Sequence, residues 1–164
     1  MKKIIVILVM AVVASSCCNV ENEKKETFDA KAELENVALV LDKYVIANEK
    51  QDIDLIKEIW ANNPHIVVFG TSGDDKFEGW AEINEVMQRQ FNSFEETYIS
   101  VRDQVVELNQ TGNTAWFSEI VSYNYIFQGE PKQYEGLRFT GVLEKIDGEW
   151  MIVQSHMSVP EDSN

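Results

Sequence analysis

The chain has 164 residues, 45% hydrophobic and 26% charged, which suits one folded domain with a real core and makes a second unlikely on length alone. Its 28 acidic residues against 14 basic ones leave a net charge of −14. That balance argues against a nucleic-acid partner, because phosphate binding needs a basic face. The only cysteines are the adjacent Cys17 and Cys18, so no structural disulfide is expected.

The N-terminus reads as an export signal. Lys2 and Lys3 precede an unbroken apolar run over residues 4–14, and small residues follow. The run is too short for a comfortable membrane span. Ala14-Ser15-Ser16-Cys17 resembles a bacterial lipoprotein signal, in which the cysteine becomes the acylated N-terminus. The resemblance implies residues 1–16 as signal peptide, a lipid on Cys17 (Cys18 is the alternative) and an exported, membrane-anchored protein. Residues 17–28 are then a lipidated tether, polar and without apolar periodicity.

The folded domain is expected over residues 29–160, with 161–164 as a tail. Leu34, Val37, Ala38, Leu41, Tyr44 and Val45 share one face of a first helix, with Asp29 as its N-cap. Asp52 caps a short second helix with the stripe Leu55, Ile56, Ile59 and Trp60, and Asn62-Asn63-Pro64 ends it. Residues 65–70 read as a strand apolar enough to be buried on both faces, followed by a turn at 71–75. A third helix runs from about Trp80 to Phe94. Strands follow near 96–109, 113–128, 132–146 and 149–158, separated by Asn-Gln-Thr-Gly-Asn, Gln-Gly-Glu-Pro and Asp-Gly turns. The order predicts an α+β fold: about three N-terminal helices packed on a strongly curved antiparallel sheet, cone-shaped, with a concave side.

The C-terminal stretch RFTGVLEKIDGEWMIVQSHMSVP carries a family resemblance. Arg138, Thr140, Val142, Gly148, Trp150, His156 and Ser158 fit the pattern Arg-x-Thr-x-Val, Gly-x-Trp, His-x-Ser, and NTAWFSEIVSY fits the strand before it. The chain thereby resembles SnoaL-like domains of the nuclear transport factor 2-like superfamily, in the branch related to the calcium/calmodulin-dependent kinase II association domain. The resemblance implies a cone with a pocket, often in a homodimer. The superfamily holds ketosteroid isomerases, dehydratases, polyketide cyclases and pure scaffolds, so it does not assign chemistry. Steroid isomerases would carry a carboxylate at the end of the first strand. This chain has Phe69 and Gly70 there, although Tyr44 falls near their oxyanion tyrosine.

Candidate site residues come from strand parity. His156 alternates with Trp150, Ile152 and Gln154, which predicts an inward side chain near the pocket mouth. Its imidazole would bind a ligand or exchange protons with it. It could equally be a satisfied core group. Arg138 and Thr140 share a face of the preceding strand. The arginine would bind a ligand carboxylate or pair with Glu119. Tyr44, Tyr123 and Ser158 complete the expected ligand-binding set, with Tyr125 beside Tyr123; Trp60, Trp80 and Trp116 read as core. His65 with Asp74 and Asp75 has no recognised metal spacing, and neither a metal nor a cofactor is expected.

Three functions stay open on this basis. The first is a lipid-anchored domain binding a small organic ligand in its concave pocket. The second is a cyclase-, isomerase- or dehydratase-type enzyme using His156. The third is a non-catalytic dimeric scaffold. A homodimer is expected because Met151, Val153, Met157 and Val159 would make the sheet's outer face apolar.

Overall fold

The computed structural model of the protein describes residues 28–161; the signal segment, Cys17, most of the tether and most of the tail lie outside them. Helix α1 spans Ala30–Lys50. Asp29 caps it as its sequence position predicts, its carboxylate accepting from the Lys31 amide at 3.0 Å and the Ala32 amide at 3.2 Å. The helix stops at Gln51, which takes a left-handed φ of 55°. Asp52 then caps α2, Ile53–Ile59, accepting from Asp54 and Leu55.

Two three-residue strands follow, β1 (Val67–Phe69) and β2 (Lys76–Glu78), before helix α3 (Trp80–Ser93). The second half consists of β3 (Phe94–Leu108), β4 (Thr114–Phe127), β5 (Glu130–Ile146) and β6 (Glu149–Ser158). The six strands form one sheet in the order β2-β1-β6-β5-β4-β3. Three helices on an open sheet make the expected α+β cone.

One junction departs from the expected antiparallel sheet. β1 runs parallel to β6, pairing Val67 with Gln154, Val68 with Ser155 and Phe69 with His156, so the sheet is mixed. A parallel neighbour needs a long crossover rather than a turn, and no local sequence signal announces it. β2 escaped the sequence reading because three residues show no periodicity.

The long strands bend at register shifts. In β3, Glu96 and Asp103 take positive φ values of 49° and 54° where its pairing with β4 slips. Gly136, with φ 70°, occupies the slip between β4 and β5. A fourth shift lies in β6, where Val142 faces Gln154 but the next residue, Leu143, faces Ile152. Val153 is therefore extra. Such bulges raise local twist and curl the sheet around the helices.

Leu41, Ile56, Ile83, Phe139, Leu143 and Ile152 are all essentially inaccessible and join the three helices to the sheet. Burying each large apolar side chain contributes about 1.5–3 kcal/mol. A polar clamp fixes the first turn of α1: Glu33 accepts from the Lys145 ammonium at 2.7 Å and from the Trp150 indole at 2.7 Å. Those bonds, led by the one to Lys145, hold the Glu33 carboxyl below its usual range.

Two core expectations need correction. Trp116, read as core, is 48% exposed on the face away from the helices. The strand at 65–70 is not buried on both faces, because Phe69 is 41% exposed.

Candidate ligand site

The bulge at Val153 decides which side chains of β6 reach the cone. Before it, Trp150 and Ile152 are buried; after it, Ser155 is buried and Met157 faces the cavity, while His156 is exposed. One extra residue exchanges the two faces of a strand. The parity expectation for His156 is therefore corrected: the imidazole sits on the open face of the sheet, opposite Thr140, with its ring 5.8 Å from the Phe69 ring. Met157, expected on the outer face, points inward.

Arg138 follows the same logic. Phe139 is buried beside it, so Arg138 and Thr140 alternate outward. Arg138 faces Ser158 on one side and Ile120 on the other. It does not meet Glu119, which is buried on the helix side at 3% exposure. The structure thus brings Arg138, Thr140, His156 and Ser158 together, but on the open face.

Tyr44 and Tyr123, the other two expected residues, do face the cone. A cavity of about 240 Å³ lies between α3, β1 and the sheet, with Val68, Phe77, Ile83, Val86, Met87 and Phe139 among its apolar lining. A second cavity of about 150 Å³ adjoins it, bounded by Phe94, Tyr123, Tyr125, Tyr134 and Leu137. The two share Tyr44, Thr71, Gln90 and Met157.

A polar network crosses this shared wall. The Gln90 amide donates to the Tyr123 hydroxyl at 3.0 Å, and that hydroxyl donates to Asn48 Oδ1 at 3.2 Å. Asn48, 1% exposed, anchors itself through Nδ2 to the Tyr44 carbonyl at 2.8 Å. Burial pushes both the Tyr44 and Tyr123 phenols far above their ordinary values, so both stay protonated donors. Tyr44 also stacks on Phe139 at 4.9 Å, which fixes its ring.

Among the described residues, Asp75 is the one carboxylate that lines these two cavities. Its Oδ2 accepts from the Ser72 amide at 3.0 Å, and Gly70 makes room for it: a Cβ at residue 70 would stand 2.7 Å from that oxygen. Glu119 lies deeper. Burial, reinforced by the charge of Asp42, raises its carboxyl above the usual range, and a 2.8 Å bond from the Gln104 amide partly offsets this. Among the described residues, neither cavity is lined by a lysine, arginine or histidine.

Residues 37–162, most of the chain, match the SnoaL-like domain family. The chain belongs to the SnoaL-like domain family. Solved structures agree on the fold. A nuclear transport factor 2-like superfamily protein from Salmonella enterica superposes on this SnoaL-like domain with a TM-score of 0.75 at 17% identity, over 83% of this chain and 96% of that one. A candidate calcium/calmodulin-dependent protein kinase II association domain from Xanthomonas campestris gives 0.65 at 19% identity, over 77% and 87%. A candidate scytalone dehydratase from Novosphingobium aromaticivorans gives 0.71 at 10% identity, over 80% and 86%. No curated protein matches the sequence.

Several residues of the SnoaL-like cavity escaped the sequence reading. Gln90 and Asn48 are polar positions within amphipathic helices, and helical periodicity alone treats them as breaks in the apolar stripe. A buried asparagine one turn after Tyr44 was the available signal. Ser155 and Met157 were hidden by the β6 bulge.

Proposed function

We propose that this SnoaL-like domain binds a small organic molecule in the paired cavities beneath α3. The observation that carries this reading is the meeting of the two cavities at Tyr44 and Gln90. Apolar walls surround a short row of polar groups there. That is the usual make-up of a small-molecule site. The ligand's apolar body would fill the cavity under Ile83 and Val86, and an acceptor atom would take a hydrogen bond from the Tyr44 hydroxyl. Lipid attachment at Cys17 and a position on the outer side of a bacterial membrane belong to the same proposal, carried by the Ala14-Ser15-Ser16-Cys17 sequence.

A neutral apolar dye such as N-phenyl-1-naphthylamine tests it. The dye should brighten on the purified protein, and Val86→Trp, which fills the cavity, should abolish the signal with the circular dichroism spectrum unchanged. A signal that persists in folded Val86→Trp protein, or is absent from the wild type, overturns the reading.

An enzymatic reading has one supporting observation, the carboxylate of Asp75 across the same cavity from the protonated Tyr44. Asp75 would take the part of the base that His156, on the open face, is not placed to play. Proton exchange into a bound carbonyl compound, lost in Asp75→Asn, would establish it.

A further inference from the structure

The smaller cavity has a wall chemistry distinct from its neighbour. Tyr44, Phe94, Tyr123, Tyr125 and Tyr134 converge on it with Met157. Tyr125 is the hub. The Phe94 ring stacks on it at 3.8 Å, the Tyr134 ring lies parallel to it at 6.2 Å, and Tyr123 stands perpendicular at 5.7 Å. Five aromatic side chains, three of them packed around the Tyr125 ring, thus enclose one small cavity as an aromatic box. An aromatic face carries negative charge density and attracts a cation lying over it.

The electrostatics point the same way. Among the described residues, no lysine, arginine or histidine lines this cavity or the adjoining one, while Asp75 lines the latter. Burial is the main cause that keeps the Tyr44 and Tyr123 phenols protonated and uncharged at this wall. Lys132 stands directly opposite Tyr125 across the β4–β5 ladder, near the hairpin, but does not line the cavity. The chain as a whole carries −14.

Resting on the small-molecule reading above, we infer that the aromatic cavity bounded by Tyr123, Tyr125 and Tyr134 receives a quaternary or alkylated ammonium head group. The rest of the ligand extends past Tyr44 into the larger cavity. A methylated ammonium suits such a box better than a primary amine: it gives up less hydration and offers methyl groups to the aromatic lining. The inference also sets what the site rejects. A carboxylate ligand would meet aromatic faces and Asp75 without a cationic partner, because Arg138 lies on the other face of the sheet.

Titration calorimetry of the purified protein tests this with three probes of one shape: choline, its uncharged carbon isostere 3,3-dimethyl-1-butanol, and the anion 3,3-dimethylbutanoate. Choline should bind at least about tenfold more tightly than the alcohol, and the anion should not bind. Tyr134→Leu, at a half-exposed position where folding tolerates change, should weaken choline about threefold or more, and Tyr134→Phe, which keeps the ring face, should restore it. Equal binding of choline and the alcohol overturns the ammonium inference and leaves the small-molecule site standing. Tighter binding of the anion, no binding of choline, or a Tyr134→Leu protein indistinguishable from wild type overturns it too. The neutral dye reports on the cavity separately, so the two readings fail independently.

Discussion

Two glutamates, one half-buried and one buried, make opposite demands on this protein. Glu33 has its carboxyl held low by Lys145 and Trp150, and Glu119 has its carboxyl held high by burial. A depressed carboxyl contributes stability that is present above its unfolded value and is lost as pH falls through the folded one. Glu33→Gln should therefore cost about 1.5–3 kcal/mol at pH 7, and the deficit should close in acid. For Glu119 the sign reverses. Its raised carboxyl makes the folded state bind the proton more tightly, so stability falls as pH rises from the ordinary carboxylate value through the folded one. Glu119→Gln should raise the melting temperature at pH 7 and have little effect below pH about 4. Urea titrations of both variants across pH 3–8 would show the two pH trends with opposite sign. A Glu119→Gln protein less stable than wild type at neutral pH would mean that the charge makes a favourable contact beyond Gln104.

At the scale of the element, β6 carries the decisive irregularity. A straight strand would have put His156 in the cone, and the bulge at Val153 puts Ser155 and Met157 there instead. His156→Ala should leave binding to the cavity unchanged between pH 5.5 and 8, the range in which an imidazole titrates. Met157→Trp should block it, and the dye assay reads both. The bulge sits beside Gly141 in β5, whose lack of a side chain is required: a Cβ there would stand 2.5 Å from the Gln154 carbonyl oxygen and 2.6 Å from the Phe117 ring. Neither a backbone carbonyl nor a ring wedged against Phe139 at 5.0 Å can retreat cheaply. Gly141→Ala should cost about 1–3 kcal/mol in chemical denaturation, the usual range for overpacking.

The whole molecule has two faces of different character. The helix side is closed by α1, α2 and α3. The open side of the sheet exposes Trp116, Val105 and Phe69 at 48%, 52% and 41% around Thr140 and His156. Exposed tryptophan and phenylalanine within one sheet face are the composition of a contact surface. A second copy related by a two-fold axis is the proposed cover, with Trp116 in the contact. Light scattering at micromolar concentration should give twice the mass of the chain, and Trp116→Glu should give a folded monomer. A monomeric wild type would refute the proposal. The residues of the sequence pattern that suggested a pocket, Arg138, Thr140, His156 and Ser158, would then lie at the contact between copies.

The family, the α+β order and the principal helices were legible in the sequence, because each rests on short-range physics. Asp29 and Asp52 announce helix starts by capping, the stripes of α1 and α3 repeat every three to four residues, and Gly-containing turns punctuate the long strands. Tyr44 and Tyr123 were found by the same periodicities, since no irregularity separates them from their core neighbours. Tertiary structure decided the rest. The parallel pairing of β1 with β6 joins segments some 85 residues apart, and no local pattern encodes a partner at that distance. The side on which His156 lies depends on a one-residue bulge that helps the sheet curl over the helices. Period-two counting errs by a whole face wherever such a residue is inserted. The aromatic box is likewise a tertiary product: Phe94 at the end of α3, Tyr123 and Tyr125 on β4, and Tyr134 on β5 meet only because the sheet bends at Gly136 and Glu96.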